Sequence, residues 1–178
     1  MKFDRLGSEF LGFQMNTPLT GASGTFGFGS EYEDFLSMEA VGAVISKGIT
    51  PLPRAGNEGV RIAETPGGML NCIGLENPGV DVFLRDILPQ ARRLKTRLIV
   101  NMSAGSTEDY GELAARLDVA GIDAVEVNIS CPNVREGGMA FGVSCSGAAT
   151  VVKAVRQHYH KTMIVKLSPN VTDIASIA

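Results

Sequence analysis

The sequence predicts an α/β fold built around a parallel β-sheet. Short apolar segments with the composition of buried strands alternate along the chain with longer segments that have the periodicity of amphipathic helices. Strands and helices in alternation form parallel sheets with right-handed crossovers. In addition, four of the five predicted strands end in a polar residue: Lys47, Asn101, Asn128 and Lys166. Because ligands bind at the carboxyl ends of parallel strands, we predict a binding site at that edge of the sheet.

The composition is that of a globular protein with enough apolar material for a core. The chain has 178 residues, of which 44% are hydrophobic, and a formal net charge of −3. It contains no basic stripe of the kind that binds nucleic acid and no apolar run of membrane-spanning length. The charged, glycine-interrupted N-terminal segment does not fit a signal peptide. Three cysteines without CxxC spacing argue against disulfides or zinc, so we expect reduced thiols and a cytoplasmic protein.

The N-terminal part of the chain is predicted to place a glycine-rich loop after the first strand of the sheet. Residues 1–16 alternate and turn at Gly12, which predicts a hairpin, and residues 18–21 are the first strand. The loop that follows, residues 22–29, is rich in serine, threonine and glycine, and a short helix is expected from about Glu31. This loop either cradles a flat ligand or a phosphate through backbone N–H groups or forms an ordinary tight turn, and both interpretations stay open.

The second strand of the sheet, residues 41–47, is apolar and ends in Lys47. A charge at the end of a buried strand is unfavourable unless it reaches solvent or a partner. Residues 50–80 form a long excursion with a predicted hairpin, and loops of this length in compact domains are usually functional. Asn71 and Asn77 could present amides to a ligand there. Cys72 is better interpreted as an inert thiol, because nothing nearby in the sequence would activate it.

The remaining elements continue the alternation. Helices are predicted over residues 81–95, 107–120 and 147–158, and strands over residues 97–101, 124–128 and 163–167. Ser106 and Asp109 are placed like a capping box at the start of the second of these helices, and Gly121 follows its end. His158 and His160 come before a strand, at the opposite end of the sheet from the predicted site. We therefore interpret both histidines as surface residues.

A thiol follows the fourth strand of the predicted sheet. This strand ends at Asn128, Cys131 comes three residues later, directly before a proline, and Asn133 adds a second amide. The proline fixes the local backbone, and the glycines at positions 137 and 138 would allow a loop to open and close over a ligand. Taken alone, this segment fits either an active-site loop or an inert buried cysteine at a strand end.

Two lysines and two amides at the strand ends suit a planar ligand with carbonyl oxygens and ring nitrogens. They suit a metal ion poorly, because clustered carboxylates and histidines are missing among them. A flavin meets these demands, since a lysine near its electron-rich pyrimidine edge stabilises the anionic reduced form by Coulomb attraction. A thiol beside that ring can take a proton from a substrate carbon while hydride leaves for the flavin.

Five motifs then match one known family in order and spacing: LTGASGTFGFG, SKGIT, NCIGLENPG, NISCPN and VKLSPNVTDI. The chain resembles the class 1 dihydroorotate dehydrogenases, which are FMN enzymes of de novo pyrimidine (UMP) biosynthesis with a TIM-barrel fold. The cysteine of NISCPN points to class 1, because class 2 enzymes use serine as the base. The continuation VREGGMAFG looks like class 1B. The nearest alternative to that assignment is class 1A, whose members reduce fumarate.

The resemblance also implies roles for particular residues. Cys131 falls on the base that removes a proton from carbon 5 of dihydroorotate. The residues that fall on family FMN contacts are Ser23, Lys47, Gly48, Asn101, Asn128 and Lys166. Those that fall on family substrate contacts are Lys47, Asn71, Cys72, Ile73, Gly74, Leu75, Asn128 and Asn133. Lys47 is placed to meet the substrate carboxylate, and Cys72 stands where the motif is expected to hold alanine.

The same resemblance implies partners and a larger domain. Class 1B enzymes pair with a separate subunit that carries FAD and a 2Fe–2S cluster and passes electrons to NAD, and a homodimer is also implied. A (β/α)8 barrel usually needs about 250 residues. We therefore expect residues 1–178 to be the N-terminal portion of a single FMN-binding TIM-barrel domain, with about five β/α units present and the C-terminal strands missing.

Other functions remain open on the sequence. Among enzymes, the alternative is a related flavin barrel acting on another pyrimidine, similar to a dihydropyrimidine dehydrogenase. A truncated, inactive barrel is a non-catalytic alternative, and we expect the isolated chain to bind FMN poorly. A barrel for a phosphate ligand is disfavoured, because it would leave the thiol of Cys131 without a role.

Overall fold

The structure, a computed structural model, describes residues 6–130 and 141–178. Within these ranges the strands are β1 (Ser8–Phe10), β2 (Phe13–Met15), β3 (Thr20–Gly21), β4 (Ala43–Ile45), β5 (Ile62–Thr65), β6 (Gly68–Asn71), β7 (Arg97–Met102), β8 (Ala124–Asn128) and β9 (Thr162–Lys166). The α-helices are α1 (Gly79–Val82), α2 (Leu88–Ala91), α3 (Thr107–Leu117) and α4 (Cys145–His158).

The centre of the fold is a five-stranded sheet with the spatial order β3-β4-β7-β8-β9. Every neighbouring pair in this sheet is parallel. Strands that follow one another along the chain, with the two hairpins left aside, therefore lie side by side, and helical segments lie in the connections after β4, β7 and β8. The predicted α/β class with a parallel sheet is confirmed.

Two antiparallel hairpins lie outside the sheet. In the first, β1 pairs with β2, and Phe10 is opposite Phe13. The two residues between them, Leu11 and Gly12, have φ values of 48° and 85°. Positive φ at both central residues is typical of the tight turn whose twist suits a hairpin. The second hairpin, β5 with β6, lies in the long excursion where a hairpin was predicted.

The two longer helices begin with serine caps. The Ser106 hydroxyl accepts a hydrogen bond from the Asp109 N–H at 3.1 Å, and this is the cap that the sequence predicted for α3. The Ser144 hydroxyl accepts one from the Gly147 N–H at 3.1 Å, so α4 starts two residues earlier than predicted. An N-cap serine satisfies an N–H group of the first turn that has no partner within the helix.

The helix predicted over residues 81–95 is shorter and less regular than expected. It starts at Gly79 with α1, passes through a π-helical stretch, Phe83–Ile87, and continues as α2 to Ala91. Pro89 explains the irregularity, because proline has no N–H to donate to the preceding turn.

The short helix expected from about Glu31 is confirmed as a 3-10 helix, Ser30–Tyr32, and a second 3-10 helix follows at Met38–Ala40. The Glu31 carboxylate accepts a hydrogen bond from the Phe28 N–H at 3.0 Å, which ties it back to the glycine-rich loop. Gly29, with φ of 94°, directly precedes the Ser30–Tyr32 helix in a positive-φ conformation that glycine adopts readily.

One face of the sheet carries the main hydrophobic core. Alternate strand residues such as Val44, Val100 and Val125 are fully buried. They pack in one cluster with helix residues, among them Phe83 of the irregular segment and Leu113 of α3. Side chains alternate between the two faces of a strand. On each strand, the residues that alternate with these valines therefore point to the opposite face, where the polar strand ends lie.

The opposite face is apolar where the strands begin and polar where they end. Near the strand beginnings, Ala43, Ile99 and Ala124 form a small buried cluster with Met15 of β2. The N-terminal hairpin thus covers this end of the sheet. Among the described residues, no helix is long and apolar enough to cross a membrane.

Candidate ligand site at the carboxyl ends of the strands

The predicted polar strand ends share one face and one edge of the sheet. Asn128 pairs with Lys166 across β8 and β9, and Asn101 pairs with Glu126 across β7 and β8. Lys47 lies two residues beyond Ile45, the last residue of β4. Because side chains alternate along a strand, Lys47 is expected on the same face as Ala43 and Ile45, which is the face of the polar strand ends. Residues in register on parallel strands point to the same face. The structure therefore brings these five polar side chains to one face.

A hydrogen bond joins the two edges of the sheet above this face. The Lys166 ammonium, at the end of β9, donates to the Ser23 hydroxyl, in the loop after β3, at 2.9 Å. Strands β3 and β9 are the opposite edges of the five-stranded sheet. In a flat sheet of this kind the edge strands would lie about 19 Å apart at the usual spacing. The sheet must therefore curve strongly around the polar face.

Asn101 is held by neighbours on both sides. Its side-chain Nδ2 donates to Glu126 Oε1 at 2.5 Å, and its backbone N–H donates to the Ser46 hydroxyl at 3.2 Å. Asn101 is 1% exposed, and Glu126 is 9% exposed. Gly48 lies against the other end of the amide, since a Cβ built on it would be 3.0 Å from Asn101 Oδ1. A side chain at position 48 would crowd this amide.

Asn128 is oriented by the residues around it. Its Oδ1 accepts hydrogen bonds from the Ser130 N–H at 3.1 Å and the Ser130 hydroxyl at 2.6 Å. The Tyr110 hydroxyl donates to the Asn128 backbone carbonyl at 2.7 Å. With Oδ1 occupied, the amide presents its Nδ2 as a donor. Within residues 6–130 and 141–178, that Nδ2 has no hydrogen-bond partner.

Lys47 connects the glycine-rich loop with the excursion after β4. Its backbone N–H donates to the Gly27 carbonyl at 2.8 Å, which fixes the strand end beside the loop. Its charge also reaches Glu76. The pKa of the Glu76 carboxyl is held below its ordinary value mainly by the hydrogen bond from Arg61, then by the charge of Arg61, and less by the charge of Lys47. Glu76 is thus an anion in the electrostatic environment of Lys47.

An amide clasp built around Asn77 holds the segment that was predicted to meet the substrate. Asn77, 5% exposed, donates from Nδ2 to the Leu75 carbonyl at 2.8 Å and to the Thr50 hydroxyl at 2.9 Å. Its Oδ1 accepts from the Gly79 N–H at 2.9 Å. Gly74 and Leu75 have φ values of 79° and 58°, and the clasp keeps this unusual backbone in place.

The predicted substrate residues do not all gather at the strand ends. Leu75 does, because its Cδ1 would be 3.0 Å from a Cβ built on Gly48. Ile73 is half-buried, and its carbonyl accepts from the Asn57 N–H at 3.0 Å. Asn71 and Cys72 are exposed at the end of the second hairpin. Among the described residues, neither of these two forms a hydrogen bond to a strand-end side chain.

The two site residues predicted beyond β8, Cys131 and Asn133, lie outside the described residues. Ile129 and Gly142, which precede and follow these positions in the sequence, lie close together. A Cβ built on Gly142 would overlap the Ile129 carbonyl oxygen, so the backbone at these two positions is in close contact. Ile129 and Gly142 are therefore neighbours at the carboxyl end of β8.

Glu126 is a site residue that the sequence reasoning missed. The signal was present, because an acidic residue at an alternate position of an otherwise apolar strand, AVEVN, is unexpected unless it has a partner. The partner, Asn101, became evident only from the register between β7 and β8.

The fold and the site place the chain in a class of proteins, the α/β proteins with a polar ligand site at the carboxyl ends of parallel strands. Within that class, the family model described as dihydroorotate dehydrogenase matches residues 5–178. The chain therefore belongs to the dihydroorotate dehydrogenase family.

Curated relatives carry the description "Dihydroorotate dehydrogenase B (NAD(+)), catalytic subunit". The relative from Phocaeicola vulgatus is 57% identical over 162 residues, which is 90% of this chain and 54% of the relative. That from Bacteroides thetaiotaomicron is 55% identical over 168 residues, covering 93% and 55%. That from Citrifermentans bemidjiense is 52% identical over 168 residues, covering 94% and 55%. The chain spans about half the length of the curated relatives it matches.

Proposed function

We propose that this chain contributes the catalytic N-terminal part of an FMN-dependent dihydroorotate dehydrogenase. The reaction is the oxidation of (S)-dihydroorotate to orotate in pyrimidine biosynthesis. The observation that carries the proposal is the convergence of Lys47, Asn101, Asn128 and Lys166 on one strand-end face, closed by the Lys166–Ser23 hydrogen bond of 2.9 Å, in a chain of this family.

The domain we propose is the first five β/α units of a (β/α)8 barrel, with residues 1–178 as its N-terminal portion. Three features support it. The strands are all parallel, they follow chain order, and the two edges of the sheet come within hydrogen-bond distance through Lys166 and Ser23. A barrel requires this curvature, with strands tilted around a common axis.

The donor and acceptor set fits FMN. Lys166, Lys47 and the Asn128 Nδ2 are donors for the ring's oxygens and unprotonated nitrogens, while Asn101 Oδ1 faces Gly48 as an acceptor. The lack of a side chain at Gly48 leaves room for a flat ring against the backbone. When bound, FMN supplies the hydride acceptor of the reaction. The chain's part is to bind the ring, orient the substrate and remove a proton.

For the substrate, we propose that Lys47 binds the carboxylate of dihydroorotate and that the segment from Asn71 to Leu75, including Cys72, Ile73 and Gly74, forms one wall of its pocket. Asn128 and Asn133 would supply amides to the pyrimidine ring. Cys131 would act as the base that takes the proton from carbon 5. The contact between Ile129 and Gly142 at the end of β8, close in sequence to Cys131, supports this assignment.

We further propose that the whole protein works as a homodimer with a separate electron-transfer subunit that carries FAD and a 2Fe–2S cluster. The description of the relatives as catalytic subunits of an NAD(+)-linked enzyme supports this assembly. Co-purification of the full-length protein with an iron–sulfur flavoprotein, and NAD reduction by the pair, would test this assignment.

The test of the reaction is anaerobic reduction of the FMN-loaded full-length protein. Dihydroorotate should bleach the flavin absorbance and yield one orotate per flavin, whereas dihydrouracil, which has no carboxylate for Lys47, should react at least about 100-fold more slowly. Faster reduction by dihydrouracil would instead favour an enzyme of the dihydropyrimidine dehydrogenase type. A protein that binds FMN but is reduced by neither compound would contradict the proposal.

A further inference from the structure

Glu126 is the one charged residue in the buried set of the described chain, and nothing in the proposed reaction uses it. It is 9% exposed and lies in β8 between Val125 and Val127, whose side chains enter the helix-side core. Glu126 therefore points to the opposite face, with the strand-end lysines and amides. A buried carboxylate is unfavourable unless it is paired, so its partner matters.

That partner is Asn101. The two residues are in register on neighbouring strands, and Asn101 Nδ2 donates to Glu126 Oε1 at 2.5 Å. An ionised carboxylate only accepts hydrogen bonds, so it selects the NH2 end of the amide and turns Oδ1 away. Oδ1 lies on the Gly48 side, where a built Cβ would be 3.0 Å from it.

We propose that Glu126 is a positioning residue that fixes the amide of Asn101 so that its oxygen, and not its nitrogen, faces the cofactor. This inference rests on the proposed function, in which FMN binds at this face. The oxidised ring offers several acceptors and a single N–H donor, and the ribityl chain offers hydroxyls. Asn101 Oδ1 then receives a donor of the ligand, while Asn128 Nδ2 and Lys166 meet its acceptors.

Exchanging the amide of Asn101 with the carboxylate of Glu126 distinguishes a positioning role of Glu126 from a role in packing alone. In Asn101→Asp two carboxylates face each other, so they share a proton and repel once it is lost. In Asn101→Asp with Glu126→Gln, the amide and the carboxylate have changed places. The NH2 group of the introduced glutamine then donates to the introduced aspartate, and an oxygen at position 101 again faces the ligand. The net charge of the pair is the same as in the natural protein.

Two single variants complete the set. Glu126→Gln keeps an acceptor, because the glutamine can turn its oxygen to Asn101. Glu126→Met keeps the length of the side chain but removes the acceptor, so the Asn101 amide is free to flip. Glu112→Gln, at an exposed position of α3, is the matched control for loss of a carboxylate.

The measurements are FMN affinity from pH 6 to 9, the visible spectrum of the bound flavin, and the melting temperature, all in the full-length protein. We expect Asn101→Asp and Glu126→Met to weaken FMN binding by about 10-fold or more. The loss in Asn101→Asp should grow as pH rises, because the shared proton is released. Glu126→Gln, the exchanged pair and Glu112→Gln should bind within about 3-fold of the natural protein, with its spectrum.

The inference is overturned if the exchanged pair binds as weakly as Asn101→Asp alone. It is also overturned if Glu126→Met keeps natural affinity and spectrum. A natural protein that binds no FMN would contradict the proposed function and, with it, the claim that Asn101 faces a flavin. The melting temperatures of Asn101→Asp, Glu126→Gln and the exchanged pair would still decide whether Glu126 and Asn101 interact.

Discussion

Lys166 is the residue whose contacts most directly connect the fold with the proposed cofactor. Its ammonium crosses from one edge of the sheet to Ser23 near the other edge, at 2.9 Å. Lys166→Met removes a charge and a donor, and we expect a loss of about 1.5–3 kcal/mol, or roughly 10- to 150-fold in FMN affinity. Ser23→Ala removes only a neutral hydroxyl and should have a smaller effect. Titration of the full-length protein with FMN measures both.

The midpoint potential of the bound flavin gives a second measure of Lys166. A positive charge near the pyrimidine edge favours the reduced form by Coulomb attraction. Lys166→Met should therefore lower the potential, whereas Lys153→Met, at an exposed position of α4, should leave it unchanged. Equal potentials in the natural protein and in Lys166→Met would remove this lysine from the flavin's immediate surroundings.

Cys131 carries the proton-transfer step in our proposal. Cys131→Ser should slow flavin reduction by dihydroorotate by about 100-fold or more, because a serine hydroxyl is a far weaker base at neutral pH. FMN should stay bound, since none of the proposed cofactor contacts is changed. Stopped-flow reduction under anaerobic conditions measures the rate. Cys145→Ser, an exposed thiol on α4, is the control, and unchanged kinetics in Cys131→Ser would exclude the role.

At the scale of elements, the Asn77 clasp ties the excursion after β4 to the rest of the site. Asn77→Ala would leave Thr50 and the Leu75 carbonyl without their buried partner, which costs about 1–3 kcal/mol of unfolding free energy. The released segment should also raise KM for dihydroorotate more than it lowers kcat. Asn16→Ala, which removes an exposed side-chain hydrogen bond to the Lys95 carbonyl, should change stability less and leave KM unaltered.

The secondary-structure elements also show which sequence patterns were sufficient to predict local structure. Strands β4, β7, β8 and β9 were predictable because each is a short, mainly apolar run. The α3 cap was predictable because Ser106 and Asp109 have the required spacing. The hydrogen bond from the Phe28 N–H to the Glu31 carboxylate was not predictable, since it forms only in the folded loop. The π-helical stretch before Pro89 could have been anticipated, because proline removes a helix donor.

At the scale of the whole molecule, the polar strand ends could be placed on one edge of a sheet from the sequence, but their contacts could not. Lys166 and Ser23 are 143 residues apart, and their hydrogen bond depends on the curvature of the complete sheet. The pairing of Asn101 with Glu126 depends on a register between strands that no local pattern encodes. Cys131 and Asn133, which lie outside the described residues, stay predictions.

The edge strands lead to a prediction for the 178-residue chain itself. Every residue of β9 is only half-buried, whereas the last five residues of β7, in the middle of the sheet, are buried. An exposed parallel edge offers unpaired N–H and C=O groups to a second chain. The isolated chain should therefore self-associate, and it should bind FMN at least about 100-fold more weakly than a chain of the relatives' length.

Size-exclusion chromatography and FMN titration compare two proteins: residues 1–178 alone, and the same residues joined to the C-terminal part of the Phocaeicola vulgatus relative. Completion of the sheet should abolish association through β9, leaving no assembly larger than the proposed homodimer, and should restore tight FMN binding at the same time, because both depend on strands that pack against β9. Tight, stoichiometric FMN binding by residues 1–178 as a monomer would show that the face from Ser23 to Lys166 is sufficient by itself. In that case the proposed dependence on further barrel strands is wrong, while the assignments of Lys166 and Asn101 stand.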